Sequence, residues 1–354
     1  MQRNRTTAAP RGFTVIELLV VIAIIALLAA MAASALSNAA EQARAQRTEA
    51  IINKIDQLIM ERWDGFRTRA VPYQAAPNET PLVRAQNRLN ALRELQRMEL
   101  PDRKSDIVNL TTGNTMEITA SGVAQSSVFR GYFRRVNAWT SNNPANWTTQ
   151  YQGAECLYLI LSSMRDGDQS ALEYFTSAEI GDVDEDGMPE ILDGWGQPIE
   201  FLRWAPGHVG FVGPDGQWGV AGTDDDGDGT TDNISEALWA GSDDRLINTM
   251  QVADGKSFPD PFDPLKVDGV SNYALKPLVF SAGSDGEYEV NVNVQFDTSK
   301  PPDDPMRYTA SSPPNDPYVV NPSHPGLHVG AVGDLDGDGY HGWTDNITNH
   351  YRGE

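Results

Sequence analysis

The sequence predicts an α+β chain built as a rod and a head, with a long amino-terminal helix packed on an antiparallel β-sheet. Three observations predict this class. Residues 13–64 contain no glycine or proline, and the first half of that stretch is almost wholly apolar. Further along, alternating apolar and polar residues mark strands in a chain that carries 31 Gly and 22 Pro. Three acidic D-x-D-x-D-G segments then stand in the head, a pattern that suits a hard cation.

The rod comes first. Residues 13–36 form a run of about 36 Å if helical, long enough to span a bilayer. Arg3, Arg5 and Arg11 precede it and predict a cytoplasmic amino terminus, with the remainder beyond the membrane. Helix continued to residue 64 reaches about 78 Å. In its second half Ile51, Ile52, Ile55, Leu58, Ile59 and Trp63 recur at three- and four-residue spacing. That half is therefore amphipathic and should lie on the head. Glu17 is a lone carboxylate near the start of the apolar run. A charge at a helix centre costs about 2.5–3.5 kcal/mol on insertion scales, so a carboxylate retained here is a functional candidate.

The segment Gly12-Phe13-Thr14-Val15-Ile16-Glu17-Leu18-Leu19-Val20 resembles the processing signal of type IV prepilins and type II secretion pseudopilins. The resemblance implies a pilin-like fold with three parts: a leader over 1–12, a helix over 13–64 with its membrane span at 13–36, and an extracytoplasmic head over 65–354. It also implies that prepilin peptidase cuts between Gly12 and Phe13 and methylates the new amine of Phe13. The chain would then be a single-pass protein of the bacterial inner membrane. Its head would lie in the periplasm, or on the cell surface after assembly. An inner-membrane assembly platform would build it into a homo- or hetero-oligomeric filament. When such helices pack in parallel, the Glu17 carboxylate meets the Phe13 ammonium of a neighbour, which offsets the cost of burying either charge alone.

In the head, 82–100 reads as a surface helix with Leu82, Leu89, Leu92, Leu95 and Met98 on one side, stopped by Pro101. Strands are expected at 114–119 and 128–133, followed by a short buried helix over 153–164 that holds Cys156 as a core thiol. Residues 198–204 and 208–212 read as a hairpin. Residues 288–296 alternate strictly and predict a half-buried strand. Proline-rich loops at 257–264 and 299–325 should wrap the surface.

The acidic segments begin at Asp182, Asp224 and Asp334. Oxygen donors at alternate positions, then a glycine for the sharp turn, are what Ca²⁺ needs. The candidate ligands of the first are Asp182, Asp184, Asp186, the Met188 carbonyl, Glu190 and Asp193. The second offers Asp224, Asp226, Asp228 and Asp232, and the third Asp334, Asp336, Asp338 and Asp345. The flanks 231–235 and 344–348 echo one another. With a single cysteine there is no intramolecular disulfide, and structural Ca²⁺ would stabilise the head instead. The turn Asp193-Gly194-Trp195-Gly196-Gln197-Pro198 is similar to the D-x-W-G-x-P motif of the major type II pseudopilin. Ser281-Ala282-Gly283-Ser284-Asp285-Gly286 resembles a second turn of those proteins, whose head carries a Ca²⁺ loop.

Function classes narrow accordingly. A net charge of −22 argues against nucleic acid as a partner, because phosphates are repelled. The five histidines show no zinc spacing, and neither a nucleophile elbow nor a phosphate loop is present, so no enzyme is expected. The leading expectation is a structural subunit of a type II secretion pseudopilus. The alternative is a type IV pilin or adhesive surface-filament subunit.

Overall fold

The computed structural model describes residues 15–350 except 72, 74–75, 111, 116–122, 206–207, 212–219, 224–230, 232–244, 247–259, 268–274, 293–328, 331 and 333–344. Helix α1, Val15–Gly65, realises the predicted rod in one piece, since no residue within it interrupts the hydrogen-bond ladder. Its two halves meet different surroundings. Large apolar side chains from Val15 to Leu36 are exposed, whereas Ile51, Ile52, Ile55, Leu58, Ile59 and Trp63 are buried in the head. Among the described residues, α1 is the helix long and apolar enough to cross a membrane by length and composition.

Helices α2 (Pro81–Glu99), α3 (Ser127–Trp139) and α4 (Gln152–Ser163) follow. Short strands come next: β1 (Arg165–Asp166), β2 (Gln169–Ser170), β3 (Ile180–Gly181), β4 (Glu190–Ile191), β5 (Glu200–Leu202), β6 (Val209–Phe211), β7 (Arg245–Leu246), β8 (Leu278–Ser281) and β9 (Ile347–Thr348). They pair as small antiparallel sheets: β1 with β2, β3 with β4, β6 with β7, and a three-stranded sheet in the order β5-β8-β9. The whole is α+β and pilin-like.

Helix α1 crosses β8 and β9, and α4 packs on β4 and β5. The buried stripe of α1 joins Leu157, Leu159, Ile160 and Leu161 of α4, Phe201 and Val279 in one apolar core. Polar bonds pin the rod there. Trp63 Nε1 donates to the Leu275 carbonyl at 3.1 Å, and Asn349 Nδ2 donates to Asp56 Oδ1 at 2.7 Å. Near the exit of α1 from the head, the turn after β4 closes on it. Gly194 N donates to Thr48 Oγ1 at 2.8 Å, and Trp195 Nε1 donates to Glu41 Oε2 at 2.7 Å.

Several expectations are corrected. The helix expected on the surface at 82–100 has an exposed start, with Leu82 66% accessible, but residues 89–99 are all buried. Its charges survive burial because they are paired. Arg97 meets Asp106 at 2.8 Å, and Arg203 Nη1 reaches the other oxygen of Asp106 at 2.9 Å. Residues 128–133 are helical in α3, where the Ser126 hydroxyl caps the first turn by accepting from Phe129 N, and Phe129, Tyr132 and Val136 share a buried face. The strand expected at 114–119 is reduced, within the described residues, to one bridge between Val108 and Thr115. The expected hairpin of 198–204 with 208–212 does not form: β5 pairs with β8 and β6 with β7. At 288–292 the alternating segment makes a bridge, Val290 to Val332, in place of a strand. Part of the first proline-rich loop turns inward, where buried Phe262 stacks edge-on against Trp63 at 4.9 Å. The loop at 299–325 lies outside the described residues.

Candidate functional site

The loop between β3 and β4 carries Asp182, Asp184, Asp186 and Met188, and Glu190 opens β4. Its carboxylates first shape the loop itself. The two Asp182 oxygens accept from Asp186 N at 3.1 Å and Gly187 N at 3.0 Å, and Asp186 Oδ1 accepts from Met188 N at 2.8 Å. Gly187 has φ +96°, and a Cβ there would stand 2.7 Å from the Trp139 carbonyl oxygen, so only glycine fits. The Met188 side chain anchors the far end in the core, and Glu190 Oε2 closes the loop by accepting from Val183 N at 3.1 Å.

Helix α4 adds a carboxylate to this loop. Glu155, in its first turn, forms one group with Asp184 and Asp186, while Asp182, Asp184 and Glu190 form another. Within each group, one oxygen from every residue lies within 4.8 Å of the others. Oxygens around one Ca²⁺ at 2.3–2.6 Å are separated by no more than about 5 Å, so both groups have the dimensions of a coordination shell. Glu155 and Glu190 are fully buried, at 0% accessibility. Glu155 Oε1, Asp184 Oδ1 and Glu190 Oε1 are buried without a hydrogen-bond partner. The remaining oxygens are held. Trp147 Nε1 donates to Glu155 Oε2, Thr148 Oγ1 donates to Asp184 Oδ2 at 2.6 Å, and Thr148 N donates to Asp186 Oδ2.

The electrostatics follow from that packing. Burial, reinforced by the charges of Asp186, Asp184 and Glu190, pushes the Glu155 carboxyl up to about 11 despite the bond from Trp147. Burial and the three loop aspartates likewise lift Glu190 to about 8. Lys104, whose ammonium donates to the Trp147 carbonyl, brings a positive charge that Asp186 and Glu155 both feel. An all-oxygen, multi-carboxylate set of this kind suits Ca²⁺ better than a transition metal.

The other predicted ligands are placed as follows. Asp193 stands outside both carboxylate groups, because its oxygens shape the next turn: Oδ1 accepts from Trp195 N at 2.8 Å and Gln197 N at 2.9 Å, and Oδ2 accepts from Ser281 Oγ at 2.6 Å. Asp224, Asp226, Asp228, Asp232, Asp334, Asp336 and Asp338 lie outside the described residues. Asp345 Oδ2 accepts from Ser284 N and Ser284 Oγ, both at 2.6 Å, joining the 281–286 turn to the start of β9. Reading for loop motifs missed Glu155. A signal was present, since Glu155 is the only charged residue in the otherwise apolar run of 153–164. Cys156 beside it is buried with its thiol pushed well up by burial, in keeping with a core role.

The second functional element is the exposed half of α1. Glu17 sits in its first turn and is exposed, and Gly12 and Phe13 lie outside the described residues. Residues 8–33 match the family described as prokaryotic N-terminal methylation motif. The chain carries the type IV prepilin signature. A comparison with curated proteins and with solved structures finds no match. A prepilin signature on an apolar helix fits a membrane-anchored, pilin-like structural subunit, and it implies processing by prepilin peptidase and assembly into a filament.

Proposed function

We propose that this prepilin-type chain is a structural subunit of a type II secretion pseudopilus, cut between Gly12 and Phe13, N-methylated on Phe13 and assembled through α1. One observation carries the reading. A methylation motif at 8–33 opens a helix whose apolar half is exposed and whose amphipathic half is locked into a head. An exposed apolar rod of that kind needs a membrane before assembly and neighbouring rods afterwards. The Asp193–Pro198 turn, which resembles that of major pseudopilins, favours secretion over a surface pilus, and here it clamps the rod to the head. Calcium held by the acidic loops stabilises the head, by about 2.7 kcal/mol at a hundredfold excess over Kd.

Amino-terminal sequencing with mass spectrometry of membrane-extracted protein tests the reading. Methylated Phe13 is the expected first residue. Glu17→Ala should remain in the membrane yet fail to enter filaments, because the neighbour's ammonium loses its counter-ion. An intact Met1, or normal assembly of Glu17→Ala, refutes it. Loss of protein secretion on deletion of the chain separates the pseudopilus from an adhesive filament.

A further inference from the structure

We propose that Glu155 of α4 is a ligand in a composite Ca²⁺ site with Asp182, Asp184, Asp186 and Glu190, so that the ion fastens the β3–β4 loop to the core helix. The inference rests on the reading of this loop as a cation loop and changes its construction. A self-contained loop of this pattern takes its closing carboxylate from within, at the position of Asp193. Here Asp193 is committed to the turn that grips α1. The carboxylate comes from across the fold.

Three features distinguish this from an ordinary acidic turn. First, Glu155 and Glu190 are both inaccessible and each keeps one oxygen without a partner, as does Asp184. A buried carboxylate oxygen left unbonded is costly, and native folds rarely retain one without a ligand or proton to meet it. Second, the two triads share Asp184 and have coordination-shell dimensions. Third, the other oxygens are already oriented by Trp147, Thr148, Val183 and the loop's own amides, as expected of carboxylates held for a metal. A proton on Glu155 is the competing occupant of this space, and the calcium titration below distinguishes the two.

The site also has a place in the filament subunit. From Glu190 in β4 the chain passes through the bridge of Leu192 with Pro198 into the Gly194–Trp195 contact with α1. Calcium at Glu155 therefore fixes to the core the same segment whose next turn holds the rod.

The test uses full-length protein in detergent micelles, stripped with EGTA and titrated with CaCl2. Wild type should bind Ca²⁺ and melt at a higher temperature with it, and Glu155→Gln should weaken binding at least tenfold. Unchanged affinity in Glu155→Gln overturns the composite site while leaving the loop as a calcium site. No calcium binding by the wild type overturns both, with the filament reading untouched. If Glu155→Gln does not fold, Trp147 decides. Calcium should shift tryptophan emission in the wild type, because the indole hydrogen-bonds the proposed ligand, and the shift should vanish in Trp147→Phe. A shift that persists in Trp147→Phe, or none in the wild type, refutes the assignment.

Discussion

Gly194→Ala is the sharpest probe of the joint between rod and head. A Cβ at residue 194 would stand 2.4 Å from the Arg44 carbonyl oxygen and 2.9 Å from both the carbonyl carbon and the Cα of Arg44. These are backbone atoms of a helix, so the turn must retreat. The backbone of Gly194 is not left-handed, so alanine suffers no conformational penalty and the effect is purely one of space. Overpacking of this kind costs about 1–3 kcal/mol. Retreat also lengthens the bond from Gly194 N to Thr48 and the half-exposed bond from Trp195 to Glu41, each worth about 1 kcal/mol. The expected destabilisation is about 3 kcal/mol in urea unfolding followed by circular dichroism, with faster amide exchange in peptides covering 41–48. Gly196→Ala is the control. It has φ +91° and open space around it, so it should cost about 1–2 kcal/mol through strain alone, without changing exchange in α1. A Gly194→Ala variant within 0.5 kcal/mol of wild type would refute the clamp.

Two further outcomes are expected. Asp106→Asn removes the carboxylate that Arg97 and Arg203 share in the core, and should cost about 3–5 kcal/mol in denaturant unfolding; a loss under 1 kcal/mol would show that the pairs are dispensable. Acid should destabilise the head through buried His208 and half-buried His350, whose rings lie 6.0 Å apart. Burial, then the neighbouring imidazole, holds His208 down to about 3, and burial with the Lys276 charge holds His350 to about 4 despite its bond to the Pro277 carbonyl. The unfolded chain takes up these protons near 6.5 and the folded chain only below about 4, so stability falls as pH drops through that window. Each imidazole contributes about 1.4 kcal/mol per pH unit there. His350→Gln should therefore show a shallower loss between pH 6.5 and 5 than wild type, and equal slopes would refute the assignment.

Much of this was legible in the chain, and the misses share a cause. Helix α1 was readable because its signal is continuous, with no breaker over its length and a clean change from all-round apolar to striped. Helix α4 was readable because its centre, from Cys156 to Leu161, is an unbroken apolar and aromatic run. Residues 128–133 were not, because a short β-branched and aromatic stretch fits strand or helix equally until the Ser126 cap and a helical neighbour decide. The second half of α2 was read as a surface helix because the partners that let its charges be buried come from elsewhere in the chain, Asp260 for Arg93 and Arg69 for Glu99, and no spacing within the helix records them.

The same division holds at the acidic loop and the rod. Read alone, the chain already marked both candidate elements: a methylation motif on an uninterrupted apolar helix, and alternating carboxylates before a glycine. These are local properties, set by period, spacing and the φ that glycine permits. Which residues meet was set by the fold. It took Asp193 away to the turn that holds α1, brought Glu155 to the loop in its place, and paired β5 with β8 in preference to its sequence neighbour. Burial and hydrogen-bond demand are satisfied across the whole fold at once, and no local spacing records how those demands are shared.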